Sequence, residues 1–467
     1  MNRLKRFLQT ALTYFIGNIL SKLITFVLIP IYTNKLTPSE YGNYDLVITI
    51  ITLFVSVAFF QIWDGMFRFS FECKEDNEKY DVVCDTLYFY LIGIFLYLVA
   101  FYFAFCILKF DYYIFALIFG LIYGLQYVYS FIARVFLRNK LFVFSGTANT
   151  LVTALCNIVF IIYLDYGVVS LYLSQICGCI IQILIIEMSI KIRKRFFKHR
   201  PNIKALRKMM KFSIPLCIAT ISYWLLNGFT KLVINQCLGA YENGIYAIAS
   251  SLANIVVITV NVFQFAWNET AYMMANDTNR KILYKKSIEL LFVTVVYGCA
   301  ILCIGVKLLF PFMIGSEYSR ASEIIPILMI GVSSNAIAGF LGTIFMTERK
   351  TSYILISTVC AAFVNISLSK ISAVIMGIQG IVFILSFSFI LLMAIRLFFL
   401  KQNFNVSINI SCYFTSIVVI ISLLMYKYVT SIIPLVVYIF ILIFMYLMIS
   451  QKLMGIKFLG KVRKEKV

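Results

Sequence analysis

The chain is 467 residues long, 62% hydrophobic and only 13% charged, with 41 Lys and Arg against 20 Asp and Glu. A soluble domain carries about a quarter charged residues, so this composition excludes an ordinary soluble enzyme and predicts an all-α polytopic membrane protein. The one histidine, His199, excludes a histidine-based triad or a multi-histidine metal site, and no G-x-x-x-x-G-K-[ST] run is present to hold ATP.

A bilayer-spanning helix needs about 20 mostly apolar residues. Such segments fall at 10–34, 41–67, 82–108, 112–136, 141–164, 168–190, 209–238, 241–274, 283–309, 321–347, 352–371, 377–400, 406–426 and 429–450, fourteen spans in all. The grouping predicts an N-terminal lobe of six helices over 1–190, a basic linker over 191–208, a C-terminal lobe of six helices over 209–400, and two further helices with a basic tail over 401–467. The break before 168 rests on Asp165-Tyr166-Gly167. The first span runs too long for a signal core and lacks a small-residue cleavage site, so no cleavable signal is expected. The linker region, KIRKRFFKHRPNIKALRKM, reads as an amphipathic segment.

Fourteen spans put both termini on one side. Among the 41 Lys and Arg, only Lys35, Lys109, Lys307, Arg320, Lys370 and Lys427 fall in the opposite set of loops, with Lys22 and Lys231 inside spans. The positive-inside rule then makes both termini cytoplasmic. Orientation and contact with anionic membrane lipids account for the net charge of +21, without nucleic acid. The twelve cysteines lie mostly in apolar segments and read as packing residues rather than bridges. No cofactor is expected. No large aqueous segment is present to carry the catalytic groups of a glycan polymerase or transferase.

Polar residues inside the spans are costly and mark function or packing. In the first span Tyr14, Asn18, Ser21, Lys22 and Thr25 share one face, and a central lysine costs roughly 2.5–3.5 kcal/mol unless it meets a cavity or partner. Asp64 and Arg68, four apart, can pair within one helix; Arg68 reads either as a receiver for an anionic headgroup or as an anchor neutralised by Asp64. Arg134 and Arg138 read as anchors. The seventh span carries Tyr223, Asn227, Thr230 and Lys231, with Lys231 either facing a cavity or snorkelling outward. In the eighth, Ser250, Asn254, Asn261, Gln264 and Asn268 align over five turns. Cations without acidic partners favour an anion such as a diphosphate, and the amides and hydroxyls suit sugars. Pro30 and Pro215 remove backbone donors and could hinge moving helices.

One phrase occurs twice. LTPSEYGNY at 36–44 and LGAYENGIY at 238–246 align at an offset of 202, pairing Leu36 with Leu238, Glu40 with Glu242, Gly42 with Gly244 and Tyr44 with Tyr246. The same offset aligns Leu4-Lys5-Arg6 with Leu206-Arg207-Lys208. Two related halves around a transport pathway are implied. In each copy the glycine is expected to shape a turn and the glutamate to sit in solvent.

The segment FIGNILSKLITFVLIPIYTNKLTPSEYGNYDL, ending at Leu46, resembles the N-terminal signature of polysaccharide repeat-unit flippases, the Wzx-like branch of the multidrug/oligosaccharidyl-lipid/polysaccharide exporter superfamily. KFSIPLCIATISYWLLNGFTKLVINQCLGAYENGIYAIA, from Lys211 to Ala249, is similar to the start of that family's second half, and SEYSRASEIIPIL, from Ser316 to Leu328, also fits. The resemblance implies fourteen helices as two six-helix lobes plus two. It also implies flipping of undecaprenyl-diphosphate-linked oligosaccharides across a bacterial cytoplasmic membrane for O-antigen, capsule or related glycans. The partners expected are that polyprenyl-diphosphate-linked glycan, membrane lipids and other glycan-assembly membrane proteins. Family members often carry Asp-Arg where this chain has Thr230-Lys231, so the acid is missing there and the bidentate fork is lost. The resulting expectation is alternating access, with the headgroup met by Lys22, Asn18, Arg68, Asn227, Lys231, Asn261 and Gln264. A cation-coupled drug exporter of the same superfamily and a membrane glycan polymerase or ligase are the rival readings.

Overall fold

The structure, a computed structural model, describes residues 24, 26–108, 111–257, 260, 263, 267, 280–348, 350–409, 412 and 414–454. All regular structure among them is helical: α1 Pro38–Ala58, α2 Ile62–Ser70, α3 Asp76–Leu108, α4 Tyr113–Val135, α5 Asn139–Ile158 with a π-helical continuation Val159–Tyr163, α6 Val169–Ile190, α7 Arg193–Phe196, α8 Ile203–Leu238, α9 Ala240–Ala253, α10 Arg280–Met313, α11 Ala321–Thr347, α12 Ser352–Phe404, α13 Ile417–Tyr428 and α14 Ile432–Met454. Among the described residues, ten helices are long and apolar enough to cross a bilayer. The chain is a multi-pass membrane protein.

Several boundaries differ from the sequence reading, each for a local reason. The span expected at 41–67 is two helices, because Phe60 and Gln61 both take the left-handed conformation at φ 48°. Side chains of α8 meet polar groups at the break: the Gln61 side-chain amide donates through Nε2 to Thr220 Oγ1 at 2.6 Å and the Gly65 backbone N–H to Ser213 Oγ at 3.1 Å. Helix α8 begins at Ile203 rather than 209, since Asn202 caps it by accepting from the N–H groups of Lys204 and Ala205. It continues through Pro215. The spans expected at 352–371 and 377–400 are present as two helical segments of α12, separated as expected by a non-helical kink at Gly377 with φ 60°. The break at Asp165-Tyr166-Gly167 is present, with Asp165 at φ 51° and Gly167 at φ 54°.

The chain divides into two compact units, Met1–Ala247 with Ile314–Tyr318, and Ile248–Met313 with Ser319–Val467. In the first, Ile51, Phe59, Ile62, Met66, Tyr97, Val128 and Ile186 belong to one buried core. The second has its own core around Leu291, Val295, Phe340, Ile344 and Phe345. There Lys307 reaches the C-terminal end of α13, donating to the carbonyls of Met425, Tyr426 and Val429. A cation at that end complements the helix dipole. Residues 314–318 join the first unit through hydrogen bonds: Gly315 N–H to Thr33 Oγ1 at 3.1 Å, Tyr318 OH to the Leu36 carbonyl at 3.1 Å, and Tyr241 OH to the Glu317 carbonyl at 3.0 Å. Burial holds the Tyr318 phenol well above its ordinary pKa.

The duplicated phrase corrects one expectation. Gly42 and Gly244 do not form turns; each lies within the first two turns of a helix, α1 and α9. They are where the two copies touch. A Cβ on Gly42 would collide with the Ala240 carbonyl oxygen and lie 2.6 Å from the Gly244 nitrogen; a Cβ on Gly244 would collide with the Pro38 carbonyl oxygen. Asn243, fully buried, donates to the Gly42 carbonyl at 2.7 Å. Glu40 and Glu242 are half-buried rather than solvated. Glu40 has a specific task, since its carboxylate accepts from the Thr37 N–H at 2.9 Å while Thr37 Oγ1 accepts from the Glu40 N–H, a capping box ahead of Pro38. Thr37→Ala is expected to lower stability by about 1 kcal/mol and Thr37→Ser to retain it, as read by thermal unfolding in detergent.

Candidate functional site

Helices α1 and α8 run antiparallel along a polar seam inside the first unit. The α1 side is Asp45, Thr49, Thr52 and Ser56, at helical spacing that puts all four on one face. The three hydroxyls are satisfied by carbonyls of their own helix, Thr49 to Asp45 at 2.7 Å, Thr52 to Thr49 at 2.8 Å and Ser56 to Thr52 at 2.9 Å. From α8, Lys231 Nζ lies 2.7 Å from Asp45 Oδ2 and donates to Thr49 Oγ1 at 3.1 Å. One helical turn or more along, Trp224 Nε1 donates to the Thr49 carbonyl at 3.0 Å and Cys217 Sγ to the Ser56 carbonyl at 3.5 Å.

The Lys231–Asp45 pair is the seam's chemical centre. Its side chains are 19% and 21% exposed, so each charge is partly desolvated and compensated by the other. Such a pair has two ways to open. An anion can take the ammonium, or a proton or cation can take the carboxylate. The acid missing beside Lys231 in the sequence is thus supplied from another helix, which corrects the expectation that this cation lacks an acidic partner. The Asp45-Thr49-Thr52-Ser56 spacing was the available signal for it.

A second polar network lies among α4, α5 and α6. Buried Gln182 Oε1 accepts from Gln126 Nε2 at 2.6 Å and from Asn149 Nδ2 at 2.8 Å. Thr153 Oγ1 donates to Asn149 Oδ1 at 3.3 Å, and the Tyr123 and Tyr127 hydroxyls meet at 3.4 Å. This set is uncharged and dense in groups that both donate and accept, the kind that hydrates or binds hydroxylated solutes.

The sequence-derived site residues are distributed as follows. Lys231 stands in the seam. Asn227, one turn before it, is half-buried and its amide donates to the Tyr223 carbonyl at 3.3 Å. Arg68 is exposed and pairs with Glu72 at 3.3 Å rather than with Asp64. The Arg134 guanidinium sits 4.5 Å over the Phe67 ring and 4.8 Å over Phe131, more enclosed than a simple anchor. Arg138 donates to Ser189 through Nη1. Asn254, just past the end of α9, donates through its side-chain amide to Ser250 of the same eighth-span stripe. Asn18, Lys22, Asn261 and Gln264, with the rest of both stripes, lie outside the described residues.

A sequence profile for a family described as polysaccharide biosynthesis protein matches residues 7–267. No curated protein is matched by the chain. Among solved structures, one described as the lipid II flippase MurJ in an inward closed conformation is similar with a TM-score of 0.67 and 15% identity, over 94% of this chain and 98% of that one. An inward-facing multidrug resistance MATE family transporter of the MOP superfamily is similar with a TM-score of 0.68 and 13% identity, over 85% of this chain and 96% of that one. At such identities the likeness is one of fold.

Proposed function

We propose that this chain, which belongs to the polysaccharide biosynthesis protein family, is a flippase moving undecaprenyl-diphosphate-linked oligosaccharide repeat units across the bacterial cytoplasmic membrane by alternating access. It carries out no covalent chemistry on them. The observation that carries the reading is the Lys231–Asp45 pair at 2.7 Å in a half-buried seam. A diphosphate has the charge to draw Lys231 away from Asp45, and the carboxylate so released is neutralised by a proton or cation. The uncharged Gln126, Asn149 and Gln182 network suits the sugar, while the polyprenyl chain remains in lipid. The fold shared with a structure described as a lipid II flippase supports the same substrate class.

Deleting the gene is expected to accumulate single lipid-linked repeat units facing the cytoplasm, and the intact gene to restore surface glycan. Single units already displayed outside would instead assign polymerisation to the chain. The fold shared with a multidrug transporter favours a second reading, cation-coupled export, and ethidium efflux from cells expressing the chain would select it.

A further inference from the structure

Helix α6 ends at Ile190, where Lys191 adopts the left-handed conformation at φ 59° and its N–H returns to the Glu187 carbonyl at 2.7 Å. The elbow that follows is fastened to α3 by a set of contacts. Arg195 donates to Asn77 Oδ1 at 2.6 Å and lies 4.1 Å over the Tyr80 ring. Tyr80 OH donates to the Ile190 carbonyl at 3.0 Å, and Tyr88 stacks on Phe196 at 4.6 Å. His199 stands between Asp85 at 2.8 Å and Asp81 at 3.1 Å.

An open cavity of about 660 Å³ adjoins this elbow, lined by Glu187, Met188, Lys191, Arg193, Lys194, Phe197 and Lys198. Glu187 is its one acid, and both carboxylate oxygens are engaged, Oε1 by the Arg193 N–H at 2.9 Å and Oε2 by Tyr129 OH at 3.2 Å. Four cationic side chains, Lys191, Arg193, Lys194 and Lys198, thus line the cavity against one carboxylate, an excess of positive charge. Beside them Met188 is 76% exposed and Phe197 75%. Met188 belongs to the last turn of a helix long and apolar enough to cross a bilayer, so the cavity lies at a membrane–water boundary.

We propose that this cavity binds the headgroup of an anionic phospholipid, with its phosphate among Lys191, Arg193, Lys194 and Lys198 and its acyl chains along Met188 and Phe197. Charge complementarity selects the headgroup and the exposed apolar pair selects a lipid over a free phosphate. A zwitterionic lipid supplies no net charge to offset the excess of cations over the single Glu187 carboxylate. The site is separate from the seam of α1 and α8 and does not depend on the substrate assigned to that seam.

The test uses the purified full chain in detergent. Native mass spectrometry reads retained phosphatidylglycerol against phosphatidylcholine, for the natural chain and for Lys191→Gln/Arg193→Gln/Lys194→Gln/Lys198→Gln. Each basic side chain near an anionic surface gives roughly a fivefold gain in binding, so the fourfold variant is expected to lose phosphatidylglycerol by about 100-fold or more. Lys194→Gln/Lys198→Gln keeps the α6 end untouched and is expected to lose about 25-fold, which covers a fourfold variant that fails to fold. Met188→Ser/Phe197→Ser is expected to weaken phosphatidylglycerol binding while leaving the weaker binding of inorganic phosphate unchanged. Equal retention of both lipids by the natural chain, inorganic phosphate bound as tightly as phosphatidylglycerol, or undiminished retention by both charge variants would each overturn the proposal. So would stoichiometric displacement of phosphatidylglycerol by a polyprenyl diphosphate at lower concentration, which would make the cavity a substrate entrance.

Discussion

Lys231→Ala is expected to cut surface-glycan display at least about tenfold at unchanged membrane abundance, a loss of the size seen for coupled residues. Removing one member of a fully buried pair costs about 3–5 kcal/mol. Here each side chain keeps about a fifth of its exposure, and solvent screening brings the stability cost to about 1–2 kcal/mol. The activity loss is therefore expected to exceed what instability produces. Asp45→Asn should give a comparable loss by leaving the ammonium uncompensated. The double variant Asp45→Asn/Lys231→Gln separates the two effects, since neither charge remains to be stranded. It is expected to regain thermal stability without regaining display. If display returns with stability, the pair is only a fastening between α1 and α8, and its part in substrate movement is wrong.

Gly42→Ala is expected to produce a large stability loss for a single methyl addition. Overpacking a side chain costs about 1–3 kcal/mol where neighbours can shift, and here the neighbours are backbone atoms, the Ala240 carbonyl and the Gly244 nitrogen. They yield only if α1 and α9 separate, which also strains the Asn243 hydrogen bond to Gly42. Gly305→Ala, with nothing within 4 Å of the added carbon, is the matched control and is expected to be neutral or to gain up to about 1 kcal/mol from helix propensity. Thermal unfolding of both variants in detergent reads the contrast. Equal melting temperatures would mean that the two helices do not hold this close approach.

Much of the architecture was legible because apolar length is a coarse signal that survives local irregularity. The Asp165-Tyr166-Gly167 break and the boundary before Gly377 were legible because glycine at positive φ leaves a mark in the sequence. The break at Phe60 and Gln61 was not, since neither residue favours the left-handed region; Thr220 and Ser213, distant in sequence, meet the polar groups there. The same limit governed the polar residues. Lys231 stood out as a charge in an apolar span, but its partner lies 186 residues away; the polar spacing from Asp45 to Ser56 marks a polar face on α1 without revealing that Lys231 meets it. Asp64 and Arg68 show the converse. Their spacing permits a pair, yet Arg68 pairs with Glu72.

The contact between the duplicated segments has the form of an isologous interface, the kind made by two identical subunits about a two-fold axis. Gly42 faces Ala240 and Gly244 faces Pro38, and each residue of one pairing is the counterpart, at an offset of 202, of a residue in the other. A single chain thus makes with itself the contact that two half-length copies would make with each other. Because each half now contributes only once, the two sides are free to diverge everywhere except where backbones touch. The seam accordingly has a lysine on one side and no matching lysine on the other, beside a glycine contact in which neither side has room for a side chain.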